Sequence, residues 1–366
     1  MKNLIIIFSF FIFLSSMNIK AQEVVELKIP ESDKVVIKLE FNNGSICDPQ
    51  GKEGLTFITS SMLVSGGTKE YTYSQIQDIL FPMAAHYGVK VDKEVSTFTF
   101  QVHKDFLDQF YEILRGIMLT PSFTEEDFER VKSDQQVYVN QSVRASSDEE
   151  YSKKLLEYYL FAGTKYQQIV AGNSESVKSI TLDDVRNHYK NFYTKNNLTI
   201  GIAGSYSKDF LAKLRSDMQQ LSDVKPSIPE LGKPLQPAGI NVKIISKKDA
   251  FGSAIFMGFP MNVTRASDDF AALMVANSYL GEHRKSYGVL YNKIRETRSM
   301  NYGDYSYIEW YDNGGAYMLP PAGTPRRMNY FSMWIRPVQI AKQLRSQYSE
   351  LSDVRVGHAH FAIRMA

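Results

Sequence analysis

Cysteine is almost absent from this chain, with Cys47 the single example in 366 residues. One thiol excludes an internal disulfide framework and any cysteine-rich metal site. An excess of either charge is missing too, because 42 Lys and Arg nearly cancel 40 Asp and Glu, for a net +2. The basic residues are scattered rather than gathered, so there is no electrostatic footprint for nucleic acid. No apolar run is long enough for a membrane anchor: the stretch from Leu4 to Leu14 is too short to cross the hydrocarbon layer with any margin. There is no Gly-x-Ser-x-Gly elbow, and Cys47 lies in a turn with no motif around it, so neither a serine nor a cysteine enzyme is expected.

What is present begins with a targeting pattern. Lys2 gives residues 1–22 a short basic start, the apolar run follows, and small or polar residues lead down to Ala21. That order predicts a secretory signal peptide cleaved near Ala21, export across the inner membrane and a periplasmic mature protein. Cys47 does not directly follow the apolar run, so a bacterial lipoprotein anchor is not indicated. The remaining chain of about 340 residues exceeds what one core usually serves and predicts two domains. Their stability must come from burying apolar side chains, among them 22 Tyr and 22 Phe.

A proline-rich stretch from Val224 to Pro237 lacks any apolar period and reads as a linker, which sets expected domains at 23–222 and 239–366 around a connection at 223–238. In the first, Lys34 to Phe41 alternates as a half-buried strand, and helical spacing follows over Lys52 to Leu63 and Tyr73 to Tyr87. Val89 to Val91 and Ser96 to Val102 form a predicted hairpin. Helices are then expected over Phe106 to Met118, from Thr124, and over Asp148 to Phe161 and Thr181 to Tyr193, before a buried strand at Leu198 to Ala203.

Past the linker the order restarts. Strands are expected at Asn241 to Ile245 and Ser253 to Phe259, helices at Ser267 to Leu280 and Tyr287 to Thr297, strands at Asn301 to Glu309 and Asn329 to Ile335, and a helix from Pro337. Two copies of one α+β unit, each an antiparallel or mixed sheet covered by helices, are the economical reading. The second copy stops within an amphipathic pattern at His360 to Ala366, where the first continues, so a truncated C-terminal half is expected.

Gly54-Leu55-Thr56-Phe57-Ile58-Thr59-Ser60-Ser61-Met62-Leu63, followed by Gly66-Gly67-Thr68, resembles the zinc helix of the insulinase-like M16 peptidases, Gly-Leu-Ala-His-Phe-Leu-Glu-His-Met-Leu before Gly-Thr. Pro121-Ser122-Phe123 with Glu125 to Arg130, and Ala171-Gly172 through Asn196-Asn197-Leu198, are similar to further stretches of that family. The resemblance implies two facing halves around a chamber. It also places two zinc-binding histidines and a water-activating glutamate at Phe57, Ser61 and Ser60. Phe has no lone pair and an unactivated Ser hydroxyl is a poor zinc ligand. The family's distant glutamate ligand falls near Asp134, Gln135 or Gln136, and Asp134 alone could not hold the metal. No metal is therefore expected on this chain.

Other histidines offer little. Tyr279-Leu280-Gly281-Glu282-His283 has Glu and His at zinc-motif offsets, but Gly281 breaks the turn and a helix-ending loop fits better. His358 and His360 have no third ligand nearby, and His86, His103 and His188 stand singly, as structural or exposed residues do.

The retained signal lies in the second copy. Leu280-Gly281, Tyr287 to Tyr291 and Ile294-Arg295-Glu296-Thr297-Arg298-Ser299-Met300-Asn301-Tyr302 resemble the family's Arg/Tyr segment. The resemblance assigns Arg298 and Tyr302 to the substrate backbone and the oxyanion, where fixed donors meet developing negative charge. The bland alternative is a helix-end cation and a packing phenol. The leading expectation is a zinc-lacking subunit of a heteromeric peptidase: a zinc-bearing M16 partner supplies the metal, and an unstructured peptide is the substrate. A non-enzymatic envelope binding or scaffold protein is the competing expectation.

Overall fold

A computed structural model describes residues 23–143, 148–246, 254–283, 285–297, 303–309 and 326–336 of the chain. The first half is built on strands β1 (Glu23–Lys28), β2 (Lys34–Phe41), β3 (His86–Val91), β4 (Ser96–His103) and β5 (Leu198–Gly204). Their order is β1-β5-β2-β4-β3, antiparallel except for the parallel pairing of β1 with β5. Register puts Ile37 opposite Phe100 and Ile202, and Leu39 opposite Phe98 and Ile200. Because side chains alternate along a strand, these residues share one face, and all six are buried. Lys34, Lys38 and Glu40 of β2 point the other way, into solvent.

The first half also contains helices α1 (Leu55–Ser65), α2 (Tyr73–Leu80), α3 (Leu107–Leu119), α4 (Glu125–Val137), α5 (Asp148–Leu160), α6 (Ser174–Ser179), α7 (Leu182–Phe192) and α8 (Lys208–Met218). Thr72, Asn173 and Thr181 close capping boxes at the starts of α2, α6 and α7, and Thr124 caps α4 above its three first-turn acids. One apolar core runs from the sheet through α1, α3 and α7 to Phe210 and Leu214 of α8. The helix expected to reach Tyr87 ends at Leu80, where a tighter turn with Pro82 follows; proline has no N–H to give the ladder, and β3 takes over at His86.

The described part of the second half contains β6 (Ile255–Met261), α9 (Phe270–Gly281), a helical turn at Tyr291–Glu296, β7 (Asp304–Tyr307) and β8 (Asn329–Ile335). Its sheet has the order β6-β8-β7, all antiparallel. The strand expected at Asn241 to Ile245 is irregular chain, with Ile240, Val242 and Ile244 exposed. Alternation makes a strand only beside an edge that accepts its hydrogen bonds, and no described strand pairs with this segment. The helix expected over Tyr287 to Thr297 runs over residues 289–296, winding more widely than an α-helix from Tyr291 to Glu296. The patterns from Pro337 onward and at His360 to Ala366 lie outside the described residues.

The halves meet through α5, which packs on β6, and through a buried ion cluster. Arg326, just before β8, grips Asp92 in the β3–β4 turn with Nε at 3.0 Å and Nη2 at 2.6 Å, and reaches Glu157 of α5 with Nη1 at 2.8 Å. Lys93 Nζ lies 2.8 Å from the other Glu157 oxygen and donates to the carbonyls of Tyr166, at 2.8 Å, and Gln168. All four charged side chains are buried. Arg327 pairs beside them with Glu94, and Ile46, Phe161, Tyr166, Met328 and Tyr330 seal the cluster. Burial acts to raise the Glu157 pKa, but Arg326 and Lys93 on either side hold it down at about 2.

Removing one member of a buried ion set leaves its partner desolvated and unpaired. Arg326→Ala is expected to lower unfolding free energy by about 3–5 kcal/mol in urea titrations. Arg326→Lys should recover only part of this, since an ammonium cannot make the two-pronged contact with Asp92. Because the folded pKa of Glu157 lies below its unfolded value, its contribution is present above about pH 4.3 and is lost as pH falls toward 2. Glu157→Gln should flatten acid unfolding curves over that window.

Candidate functional site: the degenerate metal-motif helix

The helix α1 carries the positions that matter most, and a carboxylate fixes its start. Asp48 accepts hydrogen bonds from the backbone N–H groups of Gly54 and Thr56, both at 2.7 Å, and from Thr56 Oγ1 at 2.6 Å. It thus meets the unsatisfied donors and the positive end of the helix. Gly54 turns the chain into α1 at φ +96°, and a Cβ there would stand 2.6 Å from the Ala171 carbonyl. Burial raises the Asp48 pKa to about 7 in spite of these donors. Thr56 Oγ1 also lies 3.0 Å from Nε2 of His188, a buried ring stacked on Phe192 whose pKa burial pushes down to about 3. Asp, Thr and His therefore touch in sequence, but Thr56 is wholly enclosed and no substrate reaches it.

The three motif positions part company along α1. Ser60 is buried, its hydroxyl donating to the Thr56 carbonyl at 2.8 Å and lying 2.6 Å from Tyr193 Oη. Phe57 and Ser61, one turn apart, share a half-buried outer face with Val64. The Phe57 ring stacks on Tyr138, with centroids 5.9 Å apart and planes within 5°. Where the resemblance placed an imidazole, this chain has an aromatic pair.

Helix α4 supplied the candidates for the distant ligand. Gln135 is buried and donates from Nε2 to the carbonyls of Gly54 at 3.1 Å and Ala171 at 2.9 Å, tying α4 to the start of α1. Its Oε1 is buried with no partner among the described residues. Asp134 is exposed and Gln136 half-buried. Among the described residues no three His, Cys, Asp or Glu side chains converge as metal ligands.

The remaining candidates separate. His283 is buried, with Nδ1 2.6 Å from Tyr307 Oη, whereas Tyr279 is exposed on α9 and Glu282 accepts from Ser278. Burial pushes the Cys47 thiol up to about 12, leaving it unreactive. Arg298, Tyr302, His358 and His360 lie outside the described residues. Sequence reasoning missed the cap by Asp48 and its link through Thr56 to His188; the Asp48-Pro49 turn six residues before Gly54 was the available signal.

Two family models match the chain: Insulinase (Peptidase family M16) over residues 23–173 and Peptidase M16 inactive domain over residues 179–325. The chain belongs to the M16 family. Among M16 relatives, the "Non-peptidase homolog YmxG" of Helicobacter pylori is 24% identical over 78% of this chain and 66% of its own length. The beta subunit of a probable mitochondrial-processing peptidase from Arabidopsis thaliana is 24% identical over 62% of this chain and 42% of its own. The chain thus spans less than two thirds of the length of these two relatives. A peptidase M16 inactive domain from Pseudomonas fluorescens superposes with TM-score 0.70 at 18% identity, covering 87% of this chain and 73% of that one. A protease from Helicobacter pylori gives 0.71 at 14%, covering 90% and 76%. With its motif positions held by Phe57, Ser60 and Ser61, this is a catalytically incomplete M16 protein.

Because Ser60 has become a packing residue, returning a carboxylate to it should disrupt α1. Ser60→Glu is expected to destabilise the protein by about 3 kcal/mol or more, as for an unpaired buried polar group. The triple change Phe57→His, Ser60→Glu, Ser61→His should fail to retain stoichiometric zinc through dialysis, measured by elemental analysis.

Proposed function

We propose that this chain is the zinc-lacking subunit of a heteromeric periplasmic M16 peptidase, with the signal peptide at residues 1–22 directing its export. The partner is a zinc-bearing M16 chain, and Arg298 and Tyr302 from this chain hold the substrate backbone and the developing oxyanion in the shared chamber. One observation carries the reading: the metal positions have been converted to packing and an aromatic stack, while the Arg/Tyr segment keeps the family pattern. A protein that had lost all part in peptide chemistry would have no need of the second once the first was gone.

Two further features support it. Relatives and structural neighbours include a processing-peptidase beta subunit and a chain of Complex III2 from Candida albicans, both named as parts of larger assemblies. Strand β3 pairs only with β4 among the described strands and contacts α1, so its outer edge offers backbone donors and acceptors to an extended, unstructured peptide.

Co-expression with a zinc-bearing homologue from the same organism should yield a complex that cleaves a quenched peptide, while either chain alone is inactive. In that complex Arg298→Ala should lower kcat/KM by about 100-fold or more and Tyr302→Phe by about tenfold, the range for lost transition-state donors. A pair that forms no complex, or that is indifferent to both substitutions, would favour the envelope scaffold instead.

A further inference from the structure

The aromatic pair on the outer face of α1 is placed where packing alone does not require one. Phe57 stacks on Tyr138 with centroids 5.9 Å apart and planes within 5°. Parallel rings at that separation are offset, so part of each ring face lies clear of the other. Tyr138 is 39% exposed and Val137 beside it 48%, while Phe57, Ser61 and Val64 are half-buried. The rings that fill the core, Phe41, Phe98 and Tyr193, meet edge to face and are fully enclosed. Tyr138 also stands where α4 gives way to a wider helical winding over Tyr138–Val143, a form that recurs at functional sites.

None of the five side chains Phe57, Ser61, Val64, Val137 and Tyr138 is charged. Asp134, one turn earlier on α4, is exposed at their border. Ser61 follows Phe57 by one helical turn, and the hydroxyls of Ser61 and Tyr138 make no hydrogen bond among the described residues. An uncharged ring surface bordered by hydroxyls and one carboxylate gives an anion nothing to pair with. It fits an apolar group, and best a flat one that can extend the stack.

The neighbourhood of α1 says how such a group is delivered. α1 packs on β3, whose outer edge pairs with no described strand. A peptide extended along that edge turns every second side chain, about 7 Å apart, to the face of the sheet that α1 occupies. We propose that Phe57 and Tyr138 form a subsite for one aromatic side chain of an extended peptide, its ring extending the stack while its backbone pairs with β3. The subsite rests on the reading of the substrate as an unstructured peptide, and it gives that peptide a sequence preference. Phe57, at a position the resemblance assigned to a zinc ligand, then selects substrate instead.

Peptide binding to the full chain, without any partner, separates this subsite from the shared catalytic centre. Fluorescence anisotropy is read with a dye-labelled nonapeptide of Ser and Thr carrying one central Phe, and with the same peptide carrying Ala there. The Phe peptide is expected to bind saturably, and the Ala peptide about tenfold or more weaker, for loss of the buried ring. Phe57→Leu and Tyr138→Leu keep apolar volume and remove one ring each. Either should weaken the Phe peptide by about three- to tenfold and leave the Ala peptide unchanged, a coupling that a general loss of folding does not produce. No saturable binding of the Phe peptide up to about 1 mM, equal affinity for both peptides, wild-type affinity in the variants, or equal weakening of both peptides would each overturn the subsite. So would displacement of the Phe peptide by equimolar p-cresol, which would make the face a site for a small aromatic molecule. Failure of the two-chain complex to cleave peptide would strike the subunit reading and leave these affinities as they are.

Discussion

The Asp48 carboxylate at the start of α1 is the contact on which the rest of the candidate site depends. A helix that presents metal ligands must be held at a fixed angle over its sheet, and a bound ion usually helps to hold it. Here the work falls to one buried acid accepting two backbone N–H groups and a threonine hydroxyl, backed by Gln135 from α4 and by the Ser60–Tyr193 contact from below. Each contact is of ordinary strength, roughly 1 kcal/mol net, more where charge assists. Together they fix α1 without a metal, which explains how the ligands could be lost while the architecture stayed.

The same economy governs the join between the halves. Burying Arg326, Asp92, Glu157 and Lys93 together is expensive in desolvation, and their mutual attraction returns that energy only if all are present in good geometry. The arrangement therefore acts more as a registration device than as a source of stability. It admits one placement of the strand after Arg326 against the β3–β4 turn, and so sets where the second sheet sits relative to α5. The segment that carries Leu231 packs beside this join, with Leu231 against the Ile46, Phe161 and Tyr166 side chains that seal it.

Much of the fold was legible because period and caps agree in the first half. Lys34 to Phe41, Ser96 to Val102 and Leu198 to Ala203 alternate cleanly, and Thr124 and Thr181 announce the helices they cap. Legibility failed where pairing, not pattern, decides. Glu23–Lys28 alternates poorly but becomes a strand because β5 offers it a parallel edge, whereas Asn241 to Ile245 alternates well and finds none among the described strands. The site followed the same rule. Losing His and Glu at Phe57, Ser60 and Ser61 was visible in the residues themselves, but the roles of their replacements were not.

What the sequence by itself determined is chemical. Phe57, Ser60 and Ser61 lack the imidazoles and the carboxylate of the zinc motif, and one cysteine cannot make an internal bridge. What only the tertiary structure decided is company. It put Ser60 under Tyr193 and Phe57 against Tyr138, joined Asp48 to His188 through Thr56, and brought Arg326 to an acid more than two hundred positions away. Those partners are distant in the chain, and the contacts depend on register and packing that no local pattern encodes.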